Sequence, residues 1–182
     1  MLATLMPEIE TARLYLRMFT LDDLNELAPI FADADVVRYL GTGKPVGRAE
    51  TETALASMIR HWEQHGFGRL AVIHKEERKL IGFGGLRSLF GIPELVYLLA
   101  KPYWGIGLAT EIAMASLKYG FEEHGFGHIV AVTKSENVAS QRVMEKVGMH
   151  FEKYARYYDI DVVQYTLSRE EFRPGDFSYI LR

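Results

Sequence analysis

The sequence has no cysteine. Disulfides, thiolate metal sites and cysteine nucleophiles are therefore excluded together, and a reducing, cytoplasmic setting fits. It has no apolar run near the roughly 20 residues that cross a bilayer, so no membrane partner is expected. It has no basic excess: 21 Lys and Arg against 24 Asp and Glu give a net charge of -3. That balance offers no electrostatic reason to expect nucleic acid and leans weakly toward a cationic partner. The opening "MLATLMPEIETARLYLR" lacks the basic start and apolar core of a secretory leader. No repeat, low-complexity tract or linker interrupts the chain, so one domain is expected over residues 1–182. What is present is 48% hydrophobic residues in 182, enough for a core without covalent or metal staples.

The patterning alternates between strand and helix periods. "RLYLRMF" (Arg13 to Phe19) reads as a strand, and Thr20 with Asp23 resembles a capping box opening a helix through "LDDLNELAPIFAD". Pro29 should kink or break that helix. "LGTGKPVG" is a loop, and Leu55, Met58, Ile59 and Trp62 then recur at helical spacing up to a stop at Gly66. "GRLAVIHK", "KLIGFGGLRSL" and "ELVYLLA" read as three strands. A helix from Gly105 to about Glu123, the strand "HIVAVTK", the helix "NVASQRVMEKVG" and the strands "MHFEKYARYY" and "IDVVQYTLS" complete the order. This order does not alternate as a dinucleotide-binding fold would. It predicts an α+β protein with a mixed, mostly antiparallel seven-stranded sheet and helices on both faces. The strands flanking the glycine-led helix are joined by a crossover and should form the one parallel pair.

At the head of that helix, "YWGIGLATE" places Gly105, Gly107 and Ala109 at alternate positions. Small residues there let the backbone approach a ligand, and the first N–H groups of a helix have no intrahelical partner, so the stretch suits an anion. Close helix packing alone would also account for it. "GTGKP" at Gly41 lacks the upstream glycine and the hydroxyl of a Walker loop. The dinucleotide fingerprint fails because Thr110 stands at its third place. About thirty residues on, "NVASQRVMEKVGM" (Asn137 to Met149) combines a helix cap with an ordinary apolar face.

Taken together, "ELVYLLAKPYWGIGLATEIA" and "NVASQRVMEKVGM", with "TARLYLRMFTLDDLNEL", "VVRYLG" and "VVQYTLSREEF", resemble the GNAT superfamily of acetyl-coenzyme-A-dependent N-acetyltransferases. Within it they resemble the branch of ribosomal-protein N-terminal acetyltransferases of the RimJ/RimL type. The resemblance covers nearly the whole chain. It implies an acyltransferase that uses acetyl-CoA as co-substrate and needs no metal. A loop of the form [QR]-x-x-G-x-[GA] would wrap the coenzyme pyrophosphate, here Gly105, Ile106, Gly107, Leu108, Ala109 and Thr110. The family's leading Gln or Arg falls on Trp104, which removes a polar contact, and the branch's proline falls one place late, at Pro102, which alters the path into the loop. The thioester carbonyl would be held by a backbone N–H near Leu98 and Leu99. Asn137 would bind the pantetheine arm and Ser140 would act as acid toward the departing sulfur. Glu94, at the head of the same strand, is the choice for base, directly or through water, against a plain solvated charge.

Other clusters are weaker. His61, Glu63 and His65 lack the H-E-x-x-H order and suggest a surface helix. His124 and His128 lie at a helix end, where turn chemistry suffices. Tyr154, Tyr157 and Tyr158 leave an acceptor wall, core packing and a homodimer contact all open. Two classes of function stand: an acetyltransferase acting on a primary amine, whether a protein N-terminus or a small molecule, and a binding or regulatory protein that holds acetyl-CoA with little catalysis. Asn137 and Ser140 favour the enzyme.

Overall fold

The structure, a computed structural model, describes residues 6–182. Residues 1–5, the start of the stretch read against a secretory leader, lie outside them. In chain order the elements are β1 (Ile9–Thr11), β2 (Leu14–Met18), α1 (Leu24–Phe31), α2 (Ala34–Val37), α3 (Arg48–His65), β3 (Arg69–His74), β4 (Lys79–Leu89) and β5 (Ile92–Leu99). Then follow α4 (Leu108–Lys118), β6 (His128–Thr133), α5 (Val138–Lys146), β7 (His150–Tyr157), β8 (Ile160–Ser168) and β9 (Tyr179–Leu181).

Among the described residues these strands form one nine-stranded sheet in the order β7-β8-β6-β5-β4-β3-β2-β1-β9. The sequence reading of seven strands is corrected by two short edge strands, β1 and β9, which pair with each other. Three residues are too few to carry a period-2 signal. The expected parallel pair is present as β5 and β6, the other neighbours being antiparallel.

Local rules account for most boundaries. Asp23 accepts the Thr20 N–H at 2.9 Å, the reciprocal half of the expected capping box, and also takes two hydrogen bonds from Arg17. A single turn of 3₁₀ helix (Leu21–Asp23) precedes α1, and Pro29 sits inside α1. The helix ends at Phe31 and the chain restarts as α2, so the run predicted to Asp33 is broken two residues past the proline. Gly66 closes α3 in the left-handed conformation, φ +71°. The helix predicted from Gly105 begins instead at Leu108, and its last turn, Tyr119–Glu123, widens to a π-helix.

Both faces of the sheet are covered. On one, Leu27, Leu55 and Met58 of α1 and α3 pack on Ala71, Phe83 and Leu98. On the other, Ile112, Ala115 and Leu108 of α4 pack on Val72, Ile81 and Leu99. Alpha-4 comes close because of Gly84: a Cβ there would lie 2.0 Å from Ile112 Cγ2. This contact fixes the height of α4, and hence of the loop before it, over the centre of the sheet.

Candidate active site

The parallel pair is barely a pair. Beta-5 and β6 share a single register point, Glu94 opposite Val130. Beyond it the strands splay, although β5 stays paired with β4 as far as Leu99 opposite Gly82. In an antiparallel ladder, hydrogen-bonded and non-bonded partners alternate. The Ala100 N–H bonds the Ile81 carbonyl at 2.8 Å, and counting back by twos puts the backbone groups of Leu98 and Val96 toward β4 as well. Those of Tyr97 and Leu99 point into the gap. Leu99 already uses its carbonyl there, accepting the Trp104 indole N–H at 2.7 Å. The indole thus supplies a polar tie at the position where the sequence reading expected one to be lost. A 3₁₀ turn, Lys101–Tyr103, carries Pro102 between strand and loop.

The loop that follows has the geometry that suits an anion. Gly105 and Gly107 both adopt positive φ, +74° and +86°, which a side chain would strain. The first intrahelical bond of α4 is Glu111 N–H to the Gly107 carbonyl, 3.1 Å. The N–H groups of Leu108, Ala109 and Thr110 therefore fall outside the helical ladder, at the positive end of the helix dipole. The loop is fastened from below. Buried Glu111 accepts from Thr11 Oγ1 at 2.6 Å, from the Arg13 N–H at 2.8 Å and from Arg13 Nε at 2.8 Å. Arg13 Nη1 in turn donates to the Ile106 carbonyl at 2.7 Å.

At the other lip, Asn137 caps α5: its Oδ1 accepts the Ser140 N–H at 3.3 Å, and its Nδ2 donates to Thr133 Oγ1 at 3.0 Å. Ser140 meets Tyr97 of β5 across the gap. The phenol lies 3.0 Å from the Ser140 carbonyl, to which it can only donate, and 2.9 Å from Ser140 Oγ. Burial pushes the Tyr97 hydroxyl up to about 12, so near neutral pH it keeps its proton. One phenolic proton cannot serve both serine oxygens at once. When it goes to the carbonyl, Ser140 donates to Tyr97; when it goes to Oγ, the serine proton is released toward the cleft.

Glu94 is buried, 1% exposed, and not the solvated charge weighed as the alternative. Both its oxygens are taken by Arg87, through Nε and through Nη2, the latter at 3.3 Å. Tyr157 and Tyr158 line the cleft near this end, whereas Tyr154 faces a separate hollow beside Arg156 and Asp161. Tyr158 and Asp159 form the two-residue turn between β7 and β8 with positive φ, +51° and +61°. Phe90 stacks on Tyr158 at 5.2 Å.

The resulting cleft has a volume of about 710 Å³. It brings together Glu94, Leu98, Leu99, Gly105, Gly107, Leu108, Ala109, Thr110, Asn137 and Ser140, that is, every residue given a coenzyme or catalytic role in the sequence except Ile106. Ile106 is 54% exposed on the outside of the loop and contributes its carbonyl to Arg13. The sequence reading missed Tyr97, Arg69 and Arg87. For the two arginines a signal existed: their charges interrupt strands that are otherwise largely apolar. His61 is not free, since its Nδ1 donates to the Phe67 carbonyl at 2.9 Å and its Nε2 accepts the Ser88 N–H at 3.1 Å.

This geometry matches known proteins. Residues 13–150 fit the family model described as acetyltransferase (GNAT) domain. The chain is 42% identical over 74 residues to the uncharacterized protein YkkB of Bacillus subtilis, a match that spans 41% of the chain and 43% of that protein. It is 30% identical over 148 residues to the uncharacterized N-acetyltransferase YnaD of the same species, covering 80% of the chain and 84% of YnaD. A GNAT-family acetyltransferase structure from Bacillus anthracis superposes with a TM-score of 0.79 at 29% identity, over 90% of this chain and 99% of that one. With the split strand pair and the glycine cradle both in place, the chain belongs to the GNAT acetyltransferase family.

Proposed function

We propose that the protein transfers the acetyl group of acetyl-CoA to a primary amine, in the manner of the RimJ/RimL-type branch that its motifs resemble. The observation that carries the reading is the continuity of the cleft: one groove runs from the N–H groups of Leu108 to Thr110, past the open edge of β5, to Glu94. The coenzyme fits its residues. The pyrophosphate is a dianion for the helix end, and the left-handed Gly107 leaves room beside Arg13 Nη2, which a Cβ would approach to 3.3 Å. Asn137 retains one amide hydrogen and one lone pair for the pantetheine arm.

When bound, the coenzyme supplies an acyl thioester. The chain's own groups then divide the work. The N–H groups of Tyr97 and Leu99 face the gap and receive the carbonyl oxygen as it gains charge. Glu94, its oxygens already engaged by Arg87, accepts an N–H of the incoming ammonium and orients it, and the proton leaves through water. The neutral amine forms the new C–N bond and the C–S bond breaks; Ser140 donates along a hydrogen bond to the departing sulfur and is reprotonated by Tyr97, and the second proton shed by the amide nitrogen returns through water to Tyr97. Products are an N-acetyl amine and the free thiol, with one proton released.

A panel of amines with acetyl-CoA, following thiol release, tests this. Amine-dependent thiol release is expected. Tight acetyl-CoA binding with no release above hydrolysis for any amine would instead make the protein a coenzyme-binding module.

A further inference from the structure

The wall of the cleft that carries Glu94 also carries two arginines, and one of them is left over. Ala71, Phe83 and Leu98 face the α1 and α3 side of the sheet. Strand alternation therefore puts Arg69, Arg87 and Glu94 on that same side, and all three line the cleft. Arg87 spends its guanidinium on Glu94. Arg69 forms no ion pair among the described residues. Its Nε is buried without any hydrogen-bond partner, and its guanidinium carbon stands 5.5 Å from the centre of the Phe83 ring. Burial and the neighbouring Arg87 pull its guanidinium down to about 10, against a weaker opposing pull from the Glu94 carboxylate, which is already paired with Arg87, and from Tyr158. A guanidinium whose Nε is buried without a partner, beside another cation and with no ion pair of its own, is costly, and such groups are ordinarily paired. The fork of an arginine matches the two oxygens of a carboxylate.

On the acetyl-transfer reading above, we infer that Arg69 binds a carboxylate carried by the acceptor amine, with Glu94 on its ammonium. Wall and substrate then pair charge for charge: Glu94 with the amine, Arg69 with the acid. The acceptor class is an amino carboxylate, either a free amino acid or a peptide whose first residue is acidic. The exposed Tyr158 lines the same cleft and is near enough to influence Arg69.

The inference is tested by calorimetry on the whole protein with CoA present, titrating a panel of N-acetyl amino acids against the matching N-acetyl amino acid amides. At least one acid should bind about tenfold or more tighter than its amide, about 1.4 kcal/mol. Arg69→Met should abolish that advantage and Arg69→Lys should keep part of it. Equal binding of acids and amides by the wild type overturns the inference, as does an advantage that survives in Arg69→Met. Should Arg69→Met not fold, the wild-type comparison and Arg69→Lys decide alone. A turnover arm compares free amino acids, the corresponding decarboxylated amines, and peptides beginning with Glu or Ala. Preference for amino acids over all peptides identifies the free acid, and preference for the Glu peptide over the Ala peptide identifies the peptide. Turnover of decarboxylated amines without any gain from a carboxylate overturns the inference while acetyl transfer stands. Selective acid binding with no amine turned over keeps the subsite and removes the acetyl-transfer reading.

Discussion

Arg13 and Glu111 lie 98 residues apart in the chain and 2.8 Å apart in space, and their ion pair fastens the glycine loop to the strand-proximal edge of the sheet. Through Nη1 the same arginine holds the Ile106 carbonyl, so the glycine loop, α4 and the connection between β1 and β2 form one unit. Glu111→Ala should loosen the loop without touching the reacting atoms. The dissociation constant for acetyl-CoA is expected to rise roughly tenfold while kcat at saturating coenzyme stays within about twofold. Unfolding should be eased by about 1–3 kcal/mol because Thr11 and Arg13 lose their buried acceptor. Calorimetry and steady-state kinetics on the variant separate the two effects. A lowered kcat with unchanged affinity would place Glu111 elsewhere in the mechanism.

Gly107 combines φ +86° with its place immediately before α4. A valine there strains the backbone and fills the space beside Arg13. Gly107→Val should weaken acetyl-CoA by more than about tenfold in a protein that still melts cooperatively. Unchanged affinity would remove the loop from the coenzyme site.

For the relay, Ser140→Ala and Tyr97→Phe should each lower kcat by roughly 10 to 10⁴-fold with little change in acetyl-CoA affinity. Since they act as one unit, the double variant should cost little more than the worse single one. Additive losses in single-turnover kinetics would show independent roles. Wild-type turnover in both would reduce the pair to a structural contact.

Stability should fall on mild acidification. Burial pulls His61 below its ordinary 6.5. Its Nε2 accepts the Ser88 N–H, a bond that only the neutral ring can make. Above pH 6.5 both folded and unfolded chains keep the ring neutral, so this contribution is fully present. As pH drops below 6.5 the unfolded chain takes the proton first, and stability declines until the folded ring titrates too. Burial shifts His124 the same way. Melting temperature against pH should therefore show a fall below 6.5 that is shallower in His61→Gln; parallel curves would refute the assignment.

Much of this was legible in the sequence because its signals are periodic or conformational. The alternation in "RLYLRMF" became β2, and Gly66 and Gly105 took up the left-handed geometry that glycine permits. What escaped notice depends on distance along the chain. Tyr97 reads as one more apolar strand residue until β6 diverges and brings α5 across to it. Glu111 reads as an ordinary first-turn acid, and only the packing of β1 against α4 reveals Thr11 and Arg13 beneath it. Arg69 and Arg87 belong to strands 3 and 4, and their shared face emerges only from the register of the sheet. The edge strands β1 and β9 exist only through each other.

The divergence of β5 from β6 after one register point leaves an edge of β5 open, and on the acetyl-transfer reading the extended arm of the coenzyme is what lies along it. A molecule that completes a sheet is recognised by main chain, and main-chain donors survive almost any change of side chain. Sequence variation at Leu98 and Leu99 is then free to reshape the walls while the rail stays the same. Proline is the exception. At Leu99 it would delete one of the two donors that face the gap while leaving the bonds that Leu98 and Ala100 direct to β4 in place. The protein would keep its fold and its cleft and lose only the grip.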